Sequence, residues 1–351
     1  MGIRGLAGWI QWTCGKQPQP AWDGLKGKTI GVDILGFLYR CKAHKQSPFV
    51  FLARFIAACR AVDITPVFVF DGKPPEAKRA ALQQRSEART AALSMLRDTS
   101  VSAVESALLT MSLTAAQLTA DERDLCKQFL YACGVLSLNA SGEADDVLAF
   151  LSRRGDFAAV VSHDMDLLAR GVESLLVPAP YALPGDEDGW TAYSLSHILA
   201  TAHISYNAFV ELCVLMGCDY TVGHVSLPYR AAYSEIVERP GGLAEALVSL
   251  GVADRGRYFD AVARLKGGEE TVTTLMGSKQ WDKWAEQAPP CEPEVLAVFR
   301  ATVLRWLEPD AYAALSHTCA DAVDHPDGGK GGELGRVEGR CAHDHPESAY
   351  R

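Results

Sequence analysis

Along this chain, short apolar runs rich in Val, Ile and Phe stop abruptly at acid. KTIGVD ends at Asp33, PVFVFD at Asp71, and AAVVSHDMD at Asp164 and Asp166; each has the length and side chains of a buried strand. A longer apolar stretch, FVELCVLMGCD, predicts a buried helix ending just before Asp219. Helical spacing fills the intervals: a helix from Ile34, another over residues 48–62, then DERDLCKQFLYACG and the turn and helix SGEADDVLAFLSRRG. Strands alternating with helices predict an α/β fold with a parallel sheet and right-handed crossovers. In such a sheet the ligand crevice lies at the carboxyl ends of the strands, so acids far apart in sequence should converge there.

The same pattern divides the chain. Residues 1–97 form an N-terminal region whose last part, from Pro75, is charged and helix-prone; residues 98–120, rich in Ser, Thr, Leu and Ala, read as an arch over the active edge. Residues 121–235 hold a second α/β stretch with the strands VLSLNA and AAVVS, the loop PAPYALPGDEDGW, and the helices SLSHILATA and NAFVELCVLMG. Residues 236–315 predict a mostly helical C-terminal part anchored by Trp281, Trp284 and Trp306, and residues 316–351, with HPDGGKGGELG, a flexible tail.

Composition narrows the class. With 351 residues, 48% hydrophobic and 22% charged, the chain can bury one large core or two modest ones. No apolar stretch reaches the roughly 20 residues needed to span a bilayer, and MGIRGLAGWI is too short and Gly-rich for a secretory signal. Ten cysteines without a CxxC pair point to reduced thiols in an intracellular, non-secreted protein; Cys341, His343 and His345 sit in the Gly-rich tail and make a poor metal site. The net charge of -9 is unevenly spread: residues 1–97 carry 15 Lys and Arg against 6 Asp and Glu, the remainder 19 against 37. A basic first third suits a polyanion.

Seven acids thus stand out, Asp33, Asp71, Glu143, Asp145, Asp164, Asp166 and Asp219, with Asp146 as a possible eighth. Crowded carboxylates raise one another's pKa; divalent cations remove that penalty, and a pair roughly 3.5 to 4 Å apart is a common device for phosphodiester hydrolysis. Asp33 could equally be a helix cap, whereas Asp71 precedes Gly72-Lys73-Pro74-Pro75 and has no following helix to cap. Asp164 and Asp166, at i and i+2, share a face if their strand persists, with His163 on the other. In Glu143-Ala144-Asp145-Asp146 two readings stay open. If the helix has begun, Glu143 pairs with Asp146; if Glu143 lies in the preceding turn, Asp145 joins it.

Six ordered blocks, MGIRGL, KTIGVDILGFLYR, PVFVFDGKPPEAKR, GEADDVLAFL, SHDMDLLARG and GCDYT, resemble the flap endonuclease (XPG-type) family of structure-specific 5' nucleases over residues 1–235. The resemblance implies a PIN-like parallel sheet flanked by helices, a helical arch and a helix-turn-helix-type DNA clamp. It implies two Mg2+ ions, replaceable by Mn2+, one held by Asp33, Asp71, Glu143 and Asp145 and the other by Asp164, Asp166 and Asp219, with Asp146 as a further contributor. Lys78 and Arg85 match arch cations that steer the scissile phosphate. Tyr39 matches an aromatic on which a base stacks, though it also suits the core. Gly2 matches an N-terminus close to the DNA junction, and Arg230 the clamp.

The family's Gly-rich hairpin is replaced here by VGHVSLPYRAA, which keeps only Pro228, Arg230 and Ala231 of that pattern. The implied activity is metal-dependent cutting of 5'-flapped or branched DNA in replication or repair, by a monomer in the nucleus or wherever DNA is replicated. RNA degradation by the same fold and a catalytically silent scaffold are the alternatives. No Gln-led, double-aromatic sliding-clamp motif is present in the C-terminal region.

Overall fold

A computed structural model describes residues 2–98, 118–186 and 188–267. Most of the arch segment, Trp281, Trp284, Trp306, the trio Cys341, His343 and His345, and the tail 316–351 lie outside the described residues. After helix α1 (Leu6–Cys14) come β1 (Thr29–Asp33), α2 (Ile34–Ala43), α3 (Pro48–Ala61) and β2 (Thr65–Phe70). A 3-10 turn (Glu76–Lys78) leads into α4 (Arg79–Asp98). Then follow α5 (Ala120–Ala132), β3 (Ser137–Asn139), α6 (Ala144–Arg154), β4 (Ala159–Val161), α7 (Asp166–Ala169), β5 (Ser174–Pro178) and β6 (Trp190–Ser194). The last described elements are α8 (Leu195–Ala202), α9 (Tyr206–Met216), α10 (Tyr229–Tyr233), α11 (Gly242–Ser249) and α12 (Gly256–Lys266).

The described strands form one sheet in the order β3-β2-β1-β4-β5-β6, parallel except for β6. Side chains alternate across it with the period of two that a strand imposes. Val67 and Val69 pack with α1, α6 and α9, while Phe68 and Phe70 pack with α2, α3 and α5. Both faces are therefore covered, which is why these strands read as unbroken apolar runs. Gly31 in β1 is obligatory: a Cβ there would lie 2.6 Å from Phe157, where α6 and its following turn press on the strand. Among the described residues no single helix is long and apolar enough to cross a membrane.

The strands β5 and β6 were not evident from the sequence. Each is five residues long, β5 closes on Pro178, and the mixed pattern of WTAYS suits an antiparallel edge strand more than a buried one. Among the described residues between them, 179–186 and 188–189 form the loop that their Pro and Gly content predicts.

Candidate active site

The carboxyl ends of β1, β2 and β4 bring the acids together. Asp33 occupies the N-cap position of α2, and its Oδ2 accepts a hydrogen bond from the Ser162 hydroxyl at 2.7 Å. Asp71, beyond β2, does cap a helix, though not its own: Oδ1 accepts from the Ala144 N–H at 2.6 Å. The sequence expectation that Asp71 has no helix to cap is corrected, because α6 starts beyond the neighbouring strand β3, far along the chain, where the residues around Asp71 cannot reveal it.

Glu143 is the residue before α6, which resolves the GEADD turn. Asp145 faces the charges of Asp33 and Asp164. Asp146 pairs instead with the Arg170 guanidinium and lies 3.6 Å from Arg264. The structure thus gives Asp146 two arginine partners, one of them, Arg170, shared with Glu143 and Asp145.

The strand before Asp164 does not persist. It ends at Val161, where Ser162 Oγ accepts the Asp164 N–H at 3.0 Å, and Asp164 Oδ1 in turn accepts the Asp166 N–H at 3.0 Å. Both acids are aimed by this turn, with Asp166 opening α7, and not by strand periodicity. Asp166 is buried, and its Oδ1 accepts the Ile3 N–H at 2.5 Å. Gly2 is as close: a Cβ there would collide with Asp164 Oδ1 and stand 2.7 Å from Asp166 Oδ1. The N-terminal segment thus packs directly on the acids.

Two cations enter from the other side. Lys78 Nζ, buried, pairs with Glu143 Oε1 and lies 3.4 Å from Asp219 Oδ2, on which Arg85 Nη2 also closes at 2.5 Å. The seven-residue step puts Lys78 on the 3-10 turn and Arg85 on α4, yet both reach the same carboxylate. Tyr39 is exposed on α2, which excludes the core role. Arg230, on α10, stacks 5.6 Å from the Trp12 ring centroid and 5.9 Å from that of Tyr229. His163 packs edge-on against Phe37 and is held neutral, its pKa lowered to about 4 by burial and by Arg40.

Electrostatics separates the acids into two kinds. Burial, then the charges of Asp71 and Asp164, push Asp33 up to about 7 despite the Ser162 hydrogen bond. Asp145 and Asp166 are raised well above the carboxylate range by burial and by neighbouring acids, Asp164 in both cases. For Glu143, burial acts upward but Lys78 and Arg170 outweigh it and hold the pKa below its usual value. The same neighbours keep Lys78 charged: Asp145, Tyr220 and Glu143 overcome its desolvation. Among the described residues no three acids form a ready-made metal cage. The donor set is nevertheless all-carboxylate and under mutual repulsion on the side of Asp33, Asp145, Asp164 and Asp166, the chemistry that hard divalent ions satisfy.

Three participants were not singled out from the sequence: Ser162, Arg170 and Tyr220. Arg170 donates to Glu143 Oε2 at 3.0 Å and to Tyr220 Oη at 2.7 Å, and the Tyr220 hydroxyl donates to the same Glu143 oxygen at 2.8 Å. A lone arginine inside the apolar stretch DLLARGV was the available signal.

The XPG N-terminal domain matches residues 1–92 and the XPG I-region residues 134–219, together just over half of the chain. The chain belongs to the XPG family. Bovine flap endonuclease 1 is 28% identical over 267 residues, 74% of this chain but only 62% of that protein, so the match spans less than two thirds of the relative's length. The catalytic core of Rad2 in complex with DNA substrate shares the fold at a TM-score of 0.58, with 17% identity over 90% of this chain and 99% of that one. GEN1 in complex with product DNA and a Mg2+ ion gives 0.55, with 15% identity over 92% and 78%. Within this XPG-family chain, the N-terminal match holds Gly2, Asp33, Asp71, Lys78 and Arg85, while the I-region holds the other five cluster acids, Asp146 and Arg170. Tyr220 and Arg230 lie beyond both.

Proposed function

We propose that this chain is a divalent-metal-dependent, structure-specific nuclease that hydrolyses phosphodiesters in 5'-flapped or branched DNA, using two Mg2+ ions for which Mn2+ substitutes. The observation that carries the reading is the convergence of seven acids at the carboxyl ends of β1, β2 and β4: Asp71 caps Ala144 between Glu143 and Asp145, Ser162 joins Asp33 to Asp164, Asp164 accepts the Asp166 N–H, and Lys78 spans Glu143 and Asp219. Asp33 feels Asp71 and Asp164, Asp145 feels Asp33 and Asp164, Asp166 feels Asp164 and Asp219, and Asp71 feels Glu143. Family membership supports the chemistry, and relatives of the same fold bound to DNA or to Mg2+ support the partners.

Asp33, Asp71, Asp145, Asp164 and Asp166 would hold the ions, with Glu143 and Asp219 joining from beside Lys78. Bound divalent ions lower the pKa of water and neutralise charge on a phosphate. The chain's own groups do the rest. Lys78 and Arg85 present positive charge beside Asp219, available to the negative charge that develops on the phosphate in the transition state, and burial strengthens the Lys78 contribution. Ser162 and Ile3 fix the rotamers of Asp33 and Asp166, so little reorganisation is needed. Gly2 allows the N-terminal segment to pack against Asp164 and Asp166. Tyr39, exposed on the helix that starts at Asp33, offers a ring for a base, worth roughly 1 to 3 kcal/mol.

The test is a labelled 5'-flap DNA, a nicked duplex and a structured RNA, each offered to the purified chain with Mg2+. Flap cutting supports the proposal, cutting of RNA alone moves the substrate to RNA, and no cutting by folded protein sinks the enzyme reading.

A further inference from the structure

At 1% exposure, Arg170 is buried more deeply than any other Lys or Arg among the described residues. Its backbone is fixed first. The Arg170 N–H donates to Asp166 O at 3.0 Å, its carbonyl accepts from Arg153, and the Tyr206 hydroxyl ties down the preceding carbonyl of Ala169 at 2.7 Å. From that anchor the guanidinium reaches the whole acidic turn. Nη1 pairs with Asp146, Nη2 donates to Glu143 Oε2 and Tyr220 Oη, and Nε lies 3.9 Å from Asp145 Oδ2.

The planar fork of a buried guanidinium suits two or more acceptors at once, which an ammonium cannot match; here both Nη atoms are engaged, while Nε is buried without a hydrogen-bond partner and has only the Asp145 charge beside it. Its charge is engaged by Glu143 and Asp146, so it acts on a phosphate only through the acids. Asp146 alone would suffice for a structural ion pair. The contacts to Glu143, Tyr220 and Asp145 reach the site itself.

We propose that Arg170 is a positioning residue for divalent-cation binding, fixing Glu143 and holding the start of α6 so that Asp145 faces Asp33 and Asp164. This rests on the metal-dependent reading above. Partners that orient metal ligands characteristically change metal affinity about 10- to 100-fold when removed.

The test is Mn2+ titration of the full chain by calorimetry, with thermal melting in EDTA as the check on folding. Arg170→Lys keeps the charge and loses the fork; its Mn2+ affinity should fall about tenfold while it still folds. The double variant Arg170→Met with Asp146→Asn removes the structural ion pair as a pair. It should melt close to the parent and still bind Mn2+ at least about tenfold more weakly. Either variant, folded and binding Mn2+ like the parent, overturns the proposal. A parent chain that binds no Mn2+ overturns the metal reading itself, and the role of Arg170 with it.

Discussion

Asp71 and Ala144 are joined by a hydrogen bond between the ends of the neighbouring strands β2 and β3: the Asp71 carboxylate accepts the Ala144 N–H at 2.6 Å and caps α6, a helix that begins more than seventy residues later. One side chain thus serves both the cluster and the placement of Glu143, Asp145 and Arg170. Asp71→Asn keeps an acceptor for the cap and loses the charge. It should melt within about 0.5 kcal/mol of the parent while flap cutting drops at least about a hundredfold. Asp71→Ala should lose the same activity and also about 1 kcal/mol of stability. Retained turnover in Asp71→Asn would show that its charge is not needed.

Lys78 lies between Glu143 and Asp219, and its effect should appear in chemistry more than in binding. Lys78→Met is expected to lower single-turnover cutting by about 10²- to 10³-fold with a much smaller change in the Kd for flap DNA. Equal losses in both would reduce Lys78 to a simple phosphate contact.

Gly2 tests the packing of the N-terminal segment. At φ +94° a side chain is strained, and its Cβ would press on Asp164 and Asp166. Gly2→Ala should cost about 1 to 2 kcal/mol of stability and weaken Mn2+ binding measurably in calorimetry. A variant indistinguishable from the parent in both would mean that the segment readily moves away from the acids.

Much of this site was legible in the sequence because strand period and abrupt acidic ends are local signals. TIGVD and PVFVFD fold as read, and Asp33 and Asp71 stand at their ends. The details that were not legible are long-range or depend on a turn. Asp71 caps a helix far along the chain, the strand before Asp164 stops at Val161, where the Ser162 hydroxyl captures the Asp164 N–H, and the choice between Asp145 and Asp146 hinges on where α6 begins. Arg170 was hidden in an apolar run because its partners come from two other segments, at residues 143–146 and at Tyr220.

The raised pKa of Asp33 gives stability a pH dependence with a definite sign. Its folded value, about 7, exceeds its ordinary 3.8, so the folded state binds the extra proton between those values. In EDTA, its contribution to stability is therefore lost as pH rises from about 4 to about 7. Mg2+ binds the deprotonated cluster, so the rise in melting temperature on adding Mg2+ should grow over the same range. An increment that is flat from pH 5 to 8 would contradict a role for Asp33 in holding the ion.

The most direct test of the central claim is the Mg2+ dependence of 5'-flap incision by the full chain under single-turnover conditions near pH 7.5. The acid cluster predicts no incision in EDTA and a rate that climbs with Mg2+ to saturation, with Mn2+ able to replace it. Incision that persists in EDTA, or none at saturating Mg2+ from protein that melts cooperatively, would contradict it.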